Sequence, residues 1–289
     1  MMTAKDTFFQ VKKTLNAGGK IIDLSHPKVM GIINITPDSF FSGSRKQSEN
    51  EILQQADKML NEGADFLDLG AYSSRPGAED ISVEEEENRL IPAVKLINTH
   101  FPEAVISVDT FRAYIAEKAI NSGAHIINDI SGGSLDEKMF ETVGKLQVPY
   151  ILMHMKGTSQ TMKNLNQYDD IVQEISFYFS EKINQLKAYG AKDIVLDLGF
   201  GFAKNIEQNY FLLNHLAEFR MFGFPVLAGL SRKSMIWKAL AIQPEDALNG
   251  TSILNTIALQ NGASILRVHD VKEAKECVKI FGLLSSSIN

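Results

Sequence analysis

Short apolar, β-branched runs recur along the chain, and each run is nearly continuous in hydrophobicity. Such runs are typical of strands that are buried on both faces of a parallel sheet. They predict eight strands, at 28–34, 65–70, 104–110, 125–129, 149–154, 193–199, 224–230 and 264–270. The intervening segments carry apolar residues at helical spacing, as in 49–63, where Ile52, Ala56 and Met59 share one stripe.

A Gly-Ala pair ends four of the predicted helices, at 63–64, 123–124, 190–191 and 262–263. Glycine just past a helix end is the common left-handed C-cap, and a short connection to a strand follows. Eight such units without linker composition predict a single (β/α)8 TIM barrel over 1–289, with 1–27 as an N-terminal cap or hairpin segment. An open doubly wound sheet is the alternative, but eight units favour closure.

Composition narrows the class of protein. The net charge is −6 over 289 residues, which argues against a nucleic-acid partner. No stretch has the length and apolarity of a membrane span, and the first residues lack the apolar core of a leader, so no membrane partner is expected. Cys277 is the only cysteine, which rules out a disulfide within one chain and indicates a reducing cytoplasm.

Polar residues collect at the carboxyl ends of the predicted strands, which is where a barrel of this kind carries its active site. One or two buried acids would be ordinary structural groups, but this many at one mouth indicate a polar ligand. Asp68 is the exception, since pairing with loop backbone would explain it. The set comprises Asn34, Asp68, Asp109, Asn128, Asp129, His154, Asp197, Arg267 and His269.

Cationic residues follow strands seven and eight, the usual phosphate site of such barrels. Ser231, Arg232 and Lys233 open a helix, and Arg267 and His269 alternate onto one face. Guanidinium groups and helix N-termini both bind phosphate oxygens. Neighbours on a helix face different ways, so one of Arg232 and Lys233 is expected to be a solvated surface charge.

The loops add a flat apolar element. "GFGFAK" at 199–204 lacks the GxGxxG spacing and is interpreted as a tight loop that presents Phe202 to a flat ligand, with Lys204 nearby. Long Gly-, Pro- and Ser-rich segments follow strands one and two and are interpreted as lids. Taken by itself, Met153 is interpreted as a residue that packs in the core. Together these residues predict an enzyme for a planar, hydrogen-bonding substrate that carries phosphate.

The chain resembles dihydropteroate synthases of the folate pathway from about residue 24 to 280. The resemblance is carried, in order, by "MGIINITPDSF", "SSRPGAE", "SVDT", "INDISGG", "LMHMKGT", "LDLGFGFAK", "GLSRKS" and "RVHDV", each at a different strand end. It implies a (β/α)8 barrel that condenses 6-hydroxymethyl-7,8-dihydropterin pyrophosphate with p-aminobenzoate, requires Mg²⁺ and commonly forms a homodimer through its last helices. Sulfonamides would then compete with p-aminobenzoate.

The resemblance also implies residue roles. The pterin is expected at Asp109, Asn128, Met153, Asp197 and Lys233, with Lys233 neutralising Asp197. The pyrophosphate is expected at Asn34, Ser74, Arg75, Arg267, Val268 and His269. The p-aminobenzoate pocket is expected to comprise Phe40, Ser74, Arg75, Pro76, Phe202 and Ser231. Asn34 would bind or orient Mg²⁺, and Asn34, Lys233, Arg267 and His269 are the expected catalytic residues.

Several positions depart from the family pattern. Ser42 stands where many members carry aspartate, and Tyr72 and Ser74 replace the Glu and Thr of "ESTRPG". Leu198 and Ala203 replace a proline and a glycine. None of the pterin or phosphate positions is lost, so an active enzyme is expected.

Two alternatives remain open. A methyltetrahydrofolate-dependent methyltransferase barrel would share the Asp and Asn pterin pocket, but it would not need Arg267, His269 or the "SSRPG" loop. A non-catalytic pterin-binding paralogue could have kept the fold, and only turnover would exclude it.

Overall fold

A computed structural model describes residues 10–35, 45–72, 80–158, 161–162 and 165–286. An antiparallel hairpin of β1 and β2 comes first. The next eight strands form a closed barrel in the order β10-β3-β4-β5-β6-β7-β8-β9, with all neighbours parallel. The (β/α)8 prediction is confirmed, and the open sheet is excluded. The strands are β1 (Thr14–Ala17), β2 (Lys20–Asp23), β3 (Lys28–Asn34), β4 (Phe66–Gly70), β5 (Ile106–Asp109), β6 (Ile126–Asp129), β7 (Tyr150–Met153), β8 (Ile194–Asp197), β9 (Val226–Ala228) and β10 (Ile265–Val268).

Helices follow the barrel strands and form the outer layer, with two between β9 and β10. Short 3₁₀ segments occupy Leu216–Phe222 and Pro244–Asp246. The helices are α1 (Arg45–Asn61), α2 (Val83–His100), α3 (Ala113–Asn121), α4 (Met139–Leu146), α5 (Ile171–Ala188), α6 (Ile206–Asn214), α7 (Ser234–Ala239), α8 (Leu248–Gln260) and α9 (Val271–Ser286).

The four Gly-Ala pairs end helices in the predicted way. All four glycines have positive φ, between 86° and 109°, which costs glycine far less than other residues. The following alanine donates its N–H to a carbonyl five residues back, as Ala64 does to Met59 and Ala263 does to Ala258. This is the Schellman pattern, and it turns the chain directly into the next strand.

The two-residue period of the strands divides their side chains between two cores. Residues such as Val29, Leu67 and Val108 face the helices. Residues of the opposite parity, among them Met30, Phe66 and Ile126, fill the lower barrel together with Leu15 of the hairpin. The hairpin therefore packs against the amino-terminal end of the barrel, and in the described part of the chain apolar side chains fill that end.

Candidate functional site

The same period places the predicted polar residues at the mouth. In β4, for example, Asp68 comes two residues after the inward-facing Phe66, and in β8 Asp197 comes two after Val195. Inward-facing positions of neighbouring strands therefore stack in layers, apolar below and polar above. The polar layer comprises Asp68, Asp109, Asn128, Asp197 and Arg267, with Met153 beside it.

Arg267 is held between two carboxylates. Its Nε donates to Oδ2 of Asp68 at 2.6 Å, and its Nη2 donates to Oδ2 of Asp109 at 2.8 Å. Asp68 is fully buried and also accepts from Nδ2 of Asn128 at 3.1 Å. The expectation that Asp68 pairs with loop backbone is therefore wrong. A buried carboxylate at this depth has no loop N–H within reach, and the guanidinium satisfies it instead.

The same cluster perturbs Asp109. Burial raises the pKa of Asp109 to about 7, Arg267 opposes the rise, and the charge of Asp68 adds to it. Near neutrality this carboxyl therefore exchanges a proton readily, so the charge that Arg267 can offer to an anion depends on the protonation of Asp109.

Replacing Asp109 by asparagine is expected to stabilise the protein at neutral pH. Because the folded pKa is raised from 3.8 to about 7, stability in the parent falls as the pH rises through that window. At pH 8 the variant should gain about 1–3 kcal/mol in free energy of unfolding. Urea denaturation at pH 4, 6 and 8 measures this, and an unchanged pH profile would contradict it.

Asp197 and Lys233 lie on the other side of the mouth. Oδ1 of Asp197 accepts from the N–H of Gly199 at 2.8 Å, and the pKa of Asp197 is raised by burial and lowered by Lys233. Burial lowers the pKa of Lys233 to about 8, and Asp197 opposes that change. Lys233 therefore offsets the charge of Asp197 electrostatically, but the described residues show no direct ion pair between them. Lys233 donates instead to the carbonyl of Phe200.

An apolar wall flanks these charges. Met153 is buried among Ile130, Met155, Met162 and Ala203, and the half-exposed rings of Phe111 and Phe202 pack on the same cluster. The ammonium of Lys233 lies 4.8 Å from the centre of the Phe202 ring. A flat ligand could therefore contact an apolar face while its edge meets Asp197 and Lys233.

Lys204 and His154 form a buried pair whose role the sequence did not reveal. Nζ of Lys204 lies 3.1 Å from Nδ1 of His154 and donates to the carbonyls of Gly199 and Phe202. Burial lowers the pKa of Lys204 to about 7 and that of His154 well below its usual range. The pair thus fixes the loop that carries Phe202. In the sequence, the only sign of this pair is that Lys204 follows Gly199, the end of a predicted strand, by five residues.

Arg232 and Lys233 face different ways, as predicted, but Arg232 is not a free solvated charge. It is partly buried, pairs through two nitrogens with Asp270, both at 2.9 Å, and donates to the carbonyls of Pro244 and Glu245. Lys233 points instead toward the carbonyl of Phe200 and the ring of Phe202. Ser231 hydrogen-bonds His269 twice: its Oγ lies 3.0 Å from Nδ1, and it accepts from the backbone N–H of His269 at 3.2 Å. His269 is therefore oriented by a residue of the loop between β9 and α7.

Of the remaining predicted site residues, Val268 and Asn34 lie in the described part of the chain and the others lie outside it. Val268 directs its side chain into the outer core, so only its backbone could meet a ligand. Asn34 ends β3 with an exposed side chain that makes no hydrogen bond within the described part of the chain. Phe40, Ser74, Arg75 and Pro76, together with Ser42, lie outside the described residues.

Tyr72 lies at the start of the second loop. Its ring meets that of Phe111 edge to face at 5.0 Å, and the guanidinium of Arg112 is 5.8 Å from its centre. An aromatic ring thus occupies the position where the resembling sequences carry a glutamate.

Among the helices that the structure describes, none is long and apolar enough to cross a membrane.

Comparison with known proteins agrees with this geometry. The family model described as pterin binding enzyme matches residues 30–269. A dihydropteroate synthase of Escherichia coli K12 is 46% identical over 269 residues, covering 92% of this chain and 94% of the relative. The Yersinia pestis enzyme, solved with a sulfonamide drug complex, superposes with a TM-score of 0.89 at 40% identity, covering 94% of this chain and 99% of that chain. The Xanthomonas albilineans enzyme with 4-aminobenzoic acid gives 0.87 at 35%, covering 95% and 99%.

Proposed function

The chain belongs to the pterin-binding enzyme family, among its dihydropteroate synthases, and we propose that it condenses 6-hydroxymethyl-7,8-dihydropterin pyrophosphate with p-aminobenzoate. The products are 7,8-dihydropteroate and pyrophosphate. The observation that carries the proposal is the polar layer itself, in which Asp109, Asn128 and Asp197 lie at the ends of neighbouring or nearby strands at the barrel mouth, with Lys233 acting on the charge of Asp197.

The pterin would bind with its edge on this layer. Oδ2 of Asp197 has no hydrogen-bond partner among the described residues and can accept from the ring N–H and amine. Lys233 would donate to the ring carbonyl, and Asn128 and Asp109 would meet the opposite edge. The ring face would pack on Met153, which lies in the apolar wall.

The pyrophosphate would lie toward β10 and β3. Arg267, His269 and the Val268 backbone would bind it on one side, and Asn34 on the other, with Ser74 and Arg75 contributed by the second loop. Solvent-exposed Asn34 offers one amide oxygen, and Mg²⁺ is often held by one or two protein oxygens together with phosphate oxygens and water. The described residues contain no cluster of three acidic, His or Cys ligands. Asn34 fits such a partial site, and bound Mg²⁺ would neutralise charge on the leaving pyrophosphate.

The p-aminobenzoate would stack on Phe202, with its carboxylate near Ser231 and the start of α7. Phe40, Ser74, Arg75 and Pro76 would complete this pocket from the two loops. The Xanthomonas albilineans structure with 4-aminobenzoic acid and the Yersinia pestis sulfonamide complex support such a pocket in relatives. Sulfonamides should therefore compete with p-aminobenzoate here.

The reaction would proceed by dissociative displacement, because an aniline nitrogen is a weak nucleophile and the dihydropterin can delocalise positive charge on its exocyclic carbon. The exocyclic C–O bond breaks first, and its electron pair leaves with pyrophosphate. Arg267 and His269 stabilise that negative charge. The amine nitrogen then forms the C–N bond and loses a proton.

We also propose a cytoplasmic homodimer that buries part of α8 and α9, where Ile253 and Ile280 are more than half exposed. Light scattering of the purified protein would test the dimer. A monomer at micromolar concentration would reject it without affecting the proposed reaction.

Pyrophosphate release tests the function. Release from the dihydropterin pyrophosphate should require p-aminobenzoate and Mg²⁺, and a sulfonamide should inhibit it competitively with p-aminobenzoate. Binding of the pterin without any amine-dependent release would identify a non-catalytic paralogue. Methyl transfer from methyltetrahydrofolate without such release would identify the methyltransferase alternative.

A further inference from the structure

Asp68 is a fully buried carboxylate that touches two residues of the proposed site and has no role of its own in the proposed reaction. Its Oδ2 accepts from Nε of Arg267 at 2.6 Å and from Nδ2 of Asn128 at 3.1 Å. Its Oδ1 is buried and has no hydrogen-bond partner among the described residues. A buried acceptor without a hydrogen bond lowers the free energy of unfolding, so a contribution to stability does not by itself explain the presence of Asp68.

The contact with Asn128 determines how that amide faces the cavity. A carboxylate only accepts hydrogen bonds, so Asn128 must turn its NH₂ toward Asp68. The amide oxygen of Asn128 is then left for the ligand, and it makes no hydrogen bond among the described residues. Without Asp68 the amide could rotate by half a turn and present a donor where the ligand needs an acceptor.

The contact with Arg267 fixes a rotamer. Nε points to Asp68 and Nη2 to Asp109, which come from adjacent strands, so the guanidinium plane is held at two points. No hydrogen bond of Nη1 is found within the described residues, and the fork is therefore free to meet an anion along that edge. Of these two anchors, Asp68 is the one that also contacts Asn128.

We propose that Asp68 is a positioning residue that sets the amide orientation of Asn128 and the rotamer of Arg267, so that one buried carboxylate aligns both the pterin-reading and the pyrophosphate-binding side chains. This inference rests on the proposed function. It assigns Asp68 two separable effects: pterin affinity through Asn128, and turnover through Arg267.

The first test measures the affinity of the protein for free 6-hydroxymethylpterin by calorimetry. Asp68→Leu, which keeps the branched side chain but removes both acceptors, should weaken binding at least tenfold. Asn128→Ala in the Asp68→Leu background should cost less than threefold more, because both changes remove the same contact. Binding of Asp68→Leu within twofold of the parent, or losses that simply multiply in the double variant, would overturn the proposal.

The second test separates positioning from folding. Asp68→Asn keeps an oxygen acceptor in place and should lose less pterin affinity than Asp68→Leu, while kcat falls at least tenfold because Arg267 loses its charged anchor. The matched control is Glu86→Gln, another fully buried carboxylate paired with an arginine, Arg112, but outside the cavity. Glu86→Gln should lower Tm yet keep pterin affinity. Equal loss of pterin affinity in Glu86→Gln and Asp68→Asn would refute the proposal. If the parent protein binds no pterin, the proposed function fails instead.

Discussion

Arg267→Ala is expected to lower kcat/KM for the dihydropterin pyrophosphate by about 10³-fold, while binding of the free pterin changes far less. The guanidinium would contact the leaving pyrophosphate. Its removal therefore destabilises the transition state, in which negative charge develops on that group. Steady-state rates of pyrophosphate release and calorimetry with 6-hydroxymethylpterin measure the two quantities. Equal losses in both would contradict the assignment of Arg267 to the leaving group.

The structure adds a stability effect to this substitution. Removing Arg267 leaves Asp68 and Asp109 facing each other in a buried site, and breaking a buried pair of this type costs about 3–5 kcal/mol. The loss should be larger above pH 7 than at pH 5, because burial raises the pKa of Asp109 to about 7 and this carboxyl carries a proton at pH 5. Arg267→Lys is the control, because it keeps the charge and loses the planar fork. It should recover most of the stability but little of the activity. A pH-independent loss of stability would contradict this account.

Asp197→Asn is expected to raise the KM for the dihydropterin pyrophosphate by about 10³-fold. Because Oδ1 of Asp197 accepts from the Gly199 N–H, the asparagine oxygen would take that place and its NH₂ would face the donors of the pterin. A site that presents a donor to a donor rejects its ligand strongly. Initial rates against substrate concentration measure the effect, and a KM within tenfold of the parent would refute the assignment.

Asp129→Asn provides the matched control for Asp197. Asp129 is a buried strand-end acid of the same kind, but its oxygens are taken by the N–H groups of Ser131 and Gly133 and by the hydroxyl of Tyr150. Its replacement should lower Tm with little change in KM. Asp197→Asn should not lower Tm, because the asparagine oxygen keeps the Gly199 N–H and its NH₂ replaces Oδ2, which has no hydrogen-bond partner among the described residues. A fall in Tm for Asp197→Asn would mean that the rise in KM reflects unfolding.

Much of the fold could be predicted from the sequence because its signals are local. Near-continuous apolar runs predict strands covered on both faces, and the Gly-Ala pairs predict helix ends, since only the left-handed cap makes glycine favourable there. The predicted runs contain all eight barrel strands, with ends that differ by up to two residues, because strand ends depend on the pairing of neighbours.

The candidate site was predictable as a set of residues but not as a set of contacts. Asp109, Asn128, Asp197 and Arg267 were found because strand ends converge in a barrel. The sequence pattern alone allows Asp68 to pair with loop backbone. Its position two residues after Phe66, which faces the barrel interior, is the signal that places it inside. The pairing of Arg267 with both Asp68 and Asp109 joins residues 199 and 158 positions apart, so no local pattern could reveal it.

The strands, the helix ends, the polar layer and the family resemblance follow from the amino-acid sequence, because each depends on the period or spacing of nearby residues. The partners of the site residues depend on the folded barrel: Arg267 lies between two carboxylates, Lys204 lies beside His154, and Asp68 accepts from Asn128. Barrel closure sets those distances and removes water, and the loss of water shifts the pKa of Asp109, Lys204 and Lys233 toward neutrality.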